Sequence, residues 1–139
     1  MSGRPVVAVG AVAVVDHAIL LVRRGRGPAQ GEWSVPGGRV EAGEPLPAAV
    51  VRETFEETGL EVVVDGFLGW VERVGDDPAP YHFVILDFAV TPLDAGAPLV
   101  AGDDAAEAAW VPLVDLGDVR LVDGLYEFLA DVGVVAPGR

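Results

Sequence analysis

The segment that most constrains the fold of this chain runs from Gly38 to Leu60 and reads GRVEAGEPLPAAVVRETFEETGL. It opens with glycine and continues through an acidic loop that contains Pro45 and Pro47. Proline suits a loop and the first turn of a helix, where a missing backbone N–H costs least. Gly59 stands where a left-handed C-terminal cap is expected. The segment therefore predicts a glycine turn, a short loop and a helix that ends at Gly59.

Helical spacing divides this predicted helix into an apolar face and an acidic face. An advance of about 100° per residue brings Ala48, Val51 and Phe55 to one side. We expect that side to pack against the rest of the protein. The opposite side carries the three acidic residues Glu53, Glu56 and Glu57.

The acidic face needs a source of positive charge. Like charges three and four residues apart destabilise a helix by roughly 0.2–0.5 kcal/mol per pair. Arg52 supplies one positive charge, which leaves an excess of negative charge beside it. A hard divalent cation with oxygen ligands would neutralise this excess. For an isolated E-x-x-E-E pattern, the simpler interpretation is a solvated acidic surface.

Three flanking features favour the cation over the solvated surface. The helix follows the pair Gly37-Gly38, a further carboxylate (Glu44) stands at its entrance, and Arg52 directly precedes the first glutamate of the face. The whole stretch resembles the Nudix box, which reads Gly, five residues, Glu, seven residues, Arg-Glu, an aliphatic residue, any residue, Glu-Glu, any residue, Gly and an aliphatic residue. The matching positions are Gly38, Glu44, Arg52, Glu53, Glu56, Glu57, Gly59 and Leu60. Thr54 departs from the pattern, since an aliphatic residue is usual there.

The resemblance implies a fold and a chemistry. The expected fold is α/β, an α/β/α sandwich with a mixed β-sheet between helices, formed by residues 1–139 as a single domain. The expected activity is Mg²⁺-dependent hydrolysis of the pyrophosphate bond of a nucleoside diphosphate linked to another group, with Mn²⁺ able to replace Mg²⁺. The resemblance assigns metal binding and catalysis to Glu53, Glu56 and Glu57 with the Gly38 carbonyl as a further metal ligand. It also implies that Arg52 holds these glutamates and that Glu44 braces the loop or a second metal ion.

Arginines are the candidate phosphate contacts. Arg23, Arg24 and Arg26 stand at the end of a predicted strand, and the planar fork of arginine suits phosphate oxygens. In Nudix enzymes an arginine at this strand end commonly contacts substrate. Arg24 is our first choice and Arg23 the second, against the alternative of a solvated strand end.

Substrate and general base stay open at this stage. The sequence favours ADP-ribose or another sugar nucleotide over oxidised nucleoside triphosphates of the MutT type, and a nucleotide-binding domain without catalysis is an alternative of another class. The base is either a glutamate of the box or a carboxylate on the later loop, with Asp103, Asp104 and Glu107 as candidates. We predict that Glu53 matters more than any single loop carboxylate.

Composition excludes several classes of protein. The chain is 51% hydrophobic, so it is not disordered, and it has no cysteine, so it has no disulfide, thiol nucleophile or zinc thiolate site. Its net charge of −13 disfavours nucleic acids and anionic membranes as partners. We expect no signal peptide and no membrane span, a cytoplasmic location, and a homodimer, since dimers are common among relatives.

Apolar patterning predicts the remaining elements. Residues 6–15 and 18–24 predict a hairpin of buried strands, and residues 61–73 predict two short strands or one bent strand. Residues 81–91 predict a long strand in which His82 and Asp87 are the polar exceptions. Short helices are predicted at residues 114–116 and 123–131. Trp33 is expected to pack under its loop, and a catalytic role for His82 is a minor alternative to a structural one.

Overall fold

The computed structural model describes residues 4–102 and 104–137. In this part of the chain, eight strands, two α-helices and one 3₁₀ helix form a single arrangement of layers. The N-terminal elements are β1 (Val6–Val12), β2 (Val14–Val15), β3 (Ala18–Arg24), β4 (Trp33–Ser34), β5 (Gly37–Arg39) and α1 (Leu46–Thr58). The C-terminal elements are β6 (Val62–Gly75), β7 (Tyr81–Pro92), β8 (Ala105–Pro112), the 3₁₀ helix (Leu113–Asp118) and α2 (Leu125–Asp131).

The strands form two sheets. The larger sheet has the order β5-β1-β7-β6, in which β1 and β7 are parallel and the other pairs are antiparallel. In the second sheet β3 pairs antiparallel with β2, β4 and β8. The larger sheet is therefore mixed, as the sequence predicts.

One strand prediction needs correction. Residues 6–15 do not form one strand, because the chain leaves the larger sheet at the buried residue Ala13 and continues as β2 in the second sheet. The predicted hairpin is reduced to β2 and β3, joined at Asp16 and His17, which both have positive φ. The split lets one apolar run contribute to both sheets.

Helices lie on both faces of the larger sheet. On one face α1 packs over a core that includes Val9, Ala11 and Val90. On the other face α2 and the 3₁₀ helix pack over a second core that includes Val12, Ile19 and Leu21. From β1, Val9 and Ala11 belong to the first core and Val12 to the second, so the strand is buried on both faces and reads as an almost continuous apolar run. This arrangement confirms the predicted α/β sandwich.

The burial of α1 differs from the prediction. Ala48, Val51 and Phe55 were expected to be buried, but all three are exposed, Val51 at 36% and Phe55 at 53%. The face that packs on the sheet instead carries Ala49, Val50, Thr54 and Thr58, together with Glu53 and Glu57. The two threonine hydroxyls donate to the backbone carbonyls four residues earlier, so their burial leaves no hydroxyl unpaired.

The C-terminal half agrees with the predictions more closely. The segment predicted at residues 61–73 is the single bent strand β6 (Val62–Gly75), with register shifts between Val64 and Gly66 and between Phe67 and Gly69. The helix predicted at residues 123–131 is α2, and the one predicted at 114–116 is the 3₁₀ helix. Trp33 is half-buried against the second core, as predicted. Across the described residues, no helix has the length and apolar character needed to cross a membrane.

Candidate active site

The turn before α1 requires glycine for steric reasons. At Gly37 a Cβ would overlap the carbonyl oxygen of Val9, and at Gly38 it would overlap the carboxylate of Glu53. The absence of side chains at these positions lets β5 lie directly against β1 and against Glu53. At its other end α1 closes on Gly59, whose φ of 79° places it in the left-handed region and whose N–H donates to Phe55 O at 2.9 Å.

Arg52 connects the carboxylates of the turn and the helix. Its Nε and Nη2 donate to the two oxygens of Glu44 at 2.7 and 2.9 Å, a bidentate contact. Its Nη1 donates to Glu53 at 2.9 Å and to Glu56 at 3.1 Å. A further bond from Nη2 to the Arg39 carbonyl ties the guanidinium to the loop. One cation therefore fixes the orientation of three carboxylates.

The ion pair sets the ionisation of Glu44 and Arg52. The side-chain hydrogen bonds from Arg52 lower the pKa of Glu44 to about 2, and Glu44 in turn raises the pKa of Arg52. Because the pKa of Glu44 in the folded protein lies below its ordinary value, this pair stabilises the fold at neutral pH. The stabilisation is lost as the pH falls toward 2.

Glu57 is held by the glycine turn. Its Oε1 accepts the backbone N–H of Gly37 at 2.9 Å, so the turn and the helix are joined by this carboxylate. Glu53 and Glu57 lie four residues apart and are both buried, whereas Glu56 is exposed. The predicted acidic face thus has two members facing the interior and one at its solvent edge.

The donor set of this site suits a hard cation. Every candidate ligand is an oxygen: the carboxylates of Glu53, Glu56 and Glu57 and the carbonyl of Gly38. Within the described residues, no three acidic or histidine side chains form a group that would hold a metal ion unaided. Mg²⁺ commonly uses one or two carboxylates and fills the rest of its shell with water and substrate oxygens. The residues present therefore fit Mg²⁺ in chemistry, with substrate completing the shell.

A cleft of about 690 Å³ opens beside the acidic face. Glu53, Glu57, Gly37 and Gly38 line one end. Arg24, at the end of β3, also lines the cleft, and its Nε donates to the Pro28 carbonyl at 2.8 Å. The cleft therefore brings a predicted phosphate contact and the acidic helix face into one space.

The other predicted arginine and the loop carboxylates have different surroundings. Arg23 is not among the cleft residues, because neighbouring residues of β3 point to opposite faces, and its Nε lies 3.4 Å from Glu107. This placement disfavours phosphate binding by Arg23. Asp104 lines the cleft and accepts a bond of 2.7 Å from Arg26 Nε, whereas Glu107 does not line it. Asp103 lies outside the described residues.

Two residues that line the cleft were not singled out from the sequence. Arg26 lines the cleft and pairs with Asp104, although it stood only third among the candidate arginines. Asp87, buried in β7, also lines the cleft. A single carboxylate within an otherwise apolar strand was the feature of the sequence that could have identified it. His82, the other polar exception, does not line the cleft and has its Nε2 2.8 Å from Glu72 Oε2.

The fold and the glycine turn–acidic helix site define a class of protein with many known members. A family model for the NUDIX domain matches residues 4–132 of the chain. An ADP-ribose pyrophosphatase of Methanocaldococcus jannaschii is 41% identical over 112 residues, which cover 81% of this chain and 64% of that protein. A Mycobacterium tuberculosis protein, provisionally assigned as 8-oxo-dGTP diphosphatase 2, is 38% identical over 128 residues, which cover 91% of this chain and 86% of that one.

Solved structures agree with these sequence relatives. The crystal structure of a MutT NUDIX hydrolase from Burkholderia pseudomallei superimposes with a TM-score of 0.73 at 27% identity, covering 91% of this chain and 96% of that one. The chain belongs to the Nudix family. The family and the enzyme class predicted from the sequence, a Nudix hydrolase, are thereby confirmed.

Proposed function

We propose that this protein hydrolyses the pyrophosphate bond of a nucleoside diphosphate linked to another group, with Mg²⁺ as its cofactor. One observation carries the proposal: Glu53 and Glu57 lie at one end of the cleft that Arg24 and Arg26 also line. A pyrophosphate in this cleft would meet arginines that attract it and carboxylates that repel it. A divalent cation held by the carboxylates would offset that repulsion.

The proposed metal ligands are Glu53, Glu56, Glu57 and the Gly38 carbonyl, with Mn²⁺ able to replace Mg²⁺. When bound, the cation supplies charge neutralisation at the phosphate oxygens and lowers the pKa of a water molecule. Arg52 keeps Glu53 and Glu56 oriented through its Nη1, and the Gly37 N–H keeps Glu57 oriented. These contacts pre-organise the carboxylates, so that little reorientation is needed when substrate arrives.

The bond changes are those of hydrolysis. Water adds to one phosphorus atom, the bridging P–O bond breaks, and the proton of the water passes to a carboxylate base. We propose Glu53 as that base, because it is buried at the cleft and its orientation is fixed by Arg52. Arg24 would bind a phosphate oxygen through a charge-assisted hydrogen bond.

For the substrate, we favour ADP-ribose or another sugar nucleotide. The relative from Methanocaldococcus jannaschii supports this choice, although this chain spans only 64% of its length. The alternative is an oxidised nucleoside triphosphate, which the Mycobacterium tuberculosis relative supports. A domain that binds nucleotides without cleaving them is disfavoured by the box itself, since Glu44, Glu53, Glu56 and Glu57 are all present.

A nucleotide panel tests the proposal. Products are measured by chromatography after incubation with Mg²⁺ and ADP-ribose, other ADP- and GDP-sugars, 8-oxo-dGTP, ordinary nucleotides or dinucleoside polyphosphates. We expect ADP-ribose to yield AMP and ribose 5-phosphate faster than 8-oxo-dGTP yields its monophosphate. Faster cleavage of 8-oxo-dGTP would favour an oxidised nucleoside triphosphate as the substrate. Binding without cleavage would support a domain that only binds nucleotides. The homodimer stays a prediction, and sedimentation equilibrium measures it directly.

A further inference from the structure

Asp87 is buried in β7, and one of its two carboxyl oxygens has no hydrogen-bond partner. The residue is 2% exposed, and the oxygen without a partner is Oδ1. A buried polar atom without a partner is unfavourable for folding, so its persistence requires an explanation. Asp87 also lines the cleft, where a bound molecule can supply the missing partner.

Glycines flank this carboxyl in the sheet. Asp87 is aligned with Gly10 on β1 and with Gly69 on β6, so both neighbours in its row across the sheet lack side chains. At Gly10 a Cβ would overlap Oδ1 of Asp87, and at Gly69 it would lie 3.2 Å from the ring of Phe128. The missing side chain at Gly10 therefore makes room for the carboxyl itself at the wall of the cleft, and a larger residue there would displace it.

The approach to the carboxyl is largely apolar. Phe83 and Ile85 precede Asp87 at alternate positions of β7, and Val71 of β6 lies nearby; all of them line the cleft. This floor suits a flat aromatic ring with polar groups on one edge. Desolvation raises the pKa of Asp87 to about 7, so the neutral acid is well populated near neutral pH. A neutral carboxyl offers one O–H donor and one adjacent carbonyl acceptor.

We propose that Asp87 is a specificity-determining residue that binds the polar edge of the substrate's nucleobase, an edge on which an N–H stands beside a hydrogen-bond acceptor. The inference rests on the proposed function, because it takes the cleft to hold a nucleotide. Adenine offers its amino N–H beside a ring nitrogen. On the side of the five-membered ring, 8-oxoguanine offers N7–H beside O6, whereas unmodified guanine has an acceptor at N7 and carries an N–H beside O6 only at N1. The two candidate substrates thus share this chemistry on different bases.

The test compares pairs of nucleoside monophosphates that differ at that edge. One pair is AMP and purine riboside 5′-monophosphate, which lacks the amino group, and the other is 8-oxo-dGMP and dGMP, which lacks N7–H. Dissociation constants are measured by calorimetry in Mg²⁺ for the wild type and for Asp87→Leu. We expect the wild type to prefer the first member of one pair by roughly 3- to 10-fold, the effect of one hydrogen bond. Asp87→Leu should bind both members of that pair equally.

Stability provides a second readout. Since Oδ1 of Asp87 is buried without a partner, replacement of Asp87 by leucine should leave the melting temperature unchanged or raise it. Asp87→Asn should retain the preference, because a carboxamide also presents a donor beside an acceptor. Asp65→Asn is the matched control, since Asp65 bonds to Thr91 on the exposed side of β6 and β7 and does not line the cleft. It should keep the wild-type preference.

Two results would overturn the proposal. One is a preference that is absent in the wild type or unchanged in Asp87→Leu. The other is a lower melting temperature together with equal weakening of both members of each pair, which would assign Asp87 a structural role. Asp87→Ala takes the place of Asp87→Leu if the larger side chain prevents folding. Because binding is measured without turnover, failure of hydrolysis in the nucleotide panel and failure of base recognition are separate observations.

Discussion

The guanidinium of Arg52 determines how the acidic side chains of the site are held. It donates to Glu44, Glu53 and Glu56, so the repulsion among neighbouring carboxylates is reduced before any metal ion binds. Glu57 depends instead on a backbone N–H of the glycine turn. Each carboxylate thus has a distinct environment, and substitutions should affect them differently.

The first prediction concerns the general base. Turnover of Glu53→Gln should fall by about 10²–10⁴-fold, the usual effect of removing a general base. The loss of turnover should be smaller in Asp104→Asn and Glu107→Gln, because Asp104 is paired with Arg26 and Glu107 does not line the cleft. Rates are compared at saturating Mg²⁺ and substrate, so that weaker metal binding is not mistaken for loss of the base. A larger loss in either loop variant would place the base on the loop.

The second prediction concerns phosphate binding by Arg24. Arg24→Ala should raise KM by roughly one to two decades with a smaller change in kcat, as expected for the loss of one charge-assisted hydrogen bond worth about 1.5–3 kcal/mol. Arg120→Ala is a matched control, since Arg120 is exposed, pairs with Glu32 and does not line the cleft. Unchanged saturation kinetics for Arg24→Ala would mean that the residue does not bind substrate.

At the scale of elements, α1 shows where sequence patterning succeeds and where it fails. Its end at Gly59 follows from local chemistry and was predicted correctly. Its buried face was predicted incorrectly, because Thr54, Thr58, Glu53 and Glu57 count as polar in a helical pattern. In the fold the threonine hydroxyls donate to the helix backbone. Arg52 donates to Glu53, and the Gly37 N–H donates to Glu57. Burial of these residues depends on partners that lie outside the periodicity of the helix.

The third prediction tests this orientation of α1. Val50→Ala should lower the free energy of unfolding by about 2 kcal/mol, because Val50 is fully buried and the change leaves a cavity. Phe55→Ser should change it by less than about 0.5 kcal/mol, as is usual for exposed positions. Chemical denaturation measures both. A larger loss for Phe55→Ser would support the face that the sequence pattern predicted.

At the scale of the molecule, the cleft assembles residues that are distant in the sequence. The box, the α/β class that its resemblance implies and the position of Arg24 at the end of a strand could be predicted because each follows from a short segment. The pairing of Arg26 with Asp104 could not be predicted, since it depends on the pairing of β3 with β8. The position of Asp87 could not be predicted either, since it depends on the pairing of β7 with β1. The sequence alone could not show that Arg24 lines the cleft and Arg23 does not. That difference depends on the pleat of β3, because adjacent side chains face opposite sides of a strand.

We propose that the acidic face of α1 and a divalent cation together hydrolyse a pyrophosphate bond. The most direct measurement is the rate of monophosphate release from the best substrate of the panel, with Mg²⁺ and with EDTA, for the wild type and Glu57→Gln. We predict that EDTA abolishes release and that added Mg²⁺ or Mn²⁺ restores it. In Glu57→Gln the rate of release should fall by several orders of magnitude, while the circular dichroism spectrum stays that of the wild type. Wild-type rates in folded Glu57→Gln, or undiminished release in EDTA, would contradict the claim.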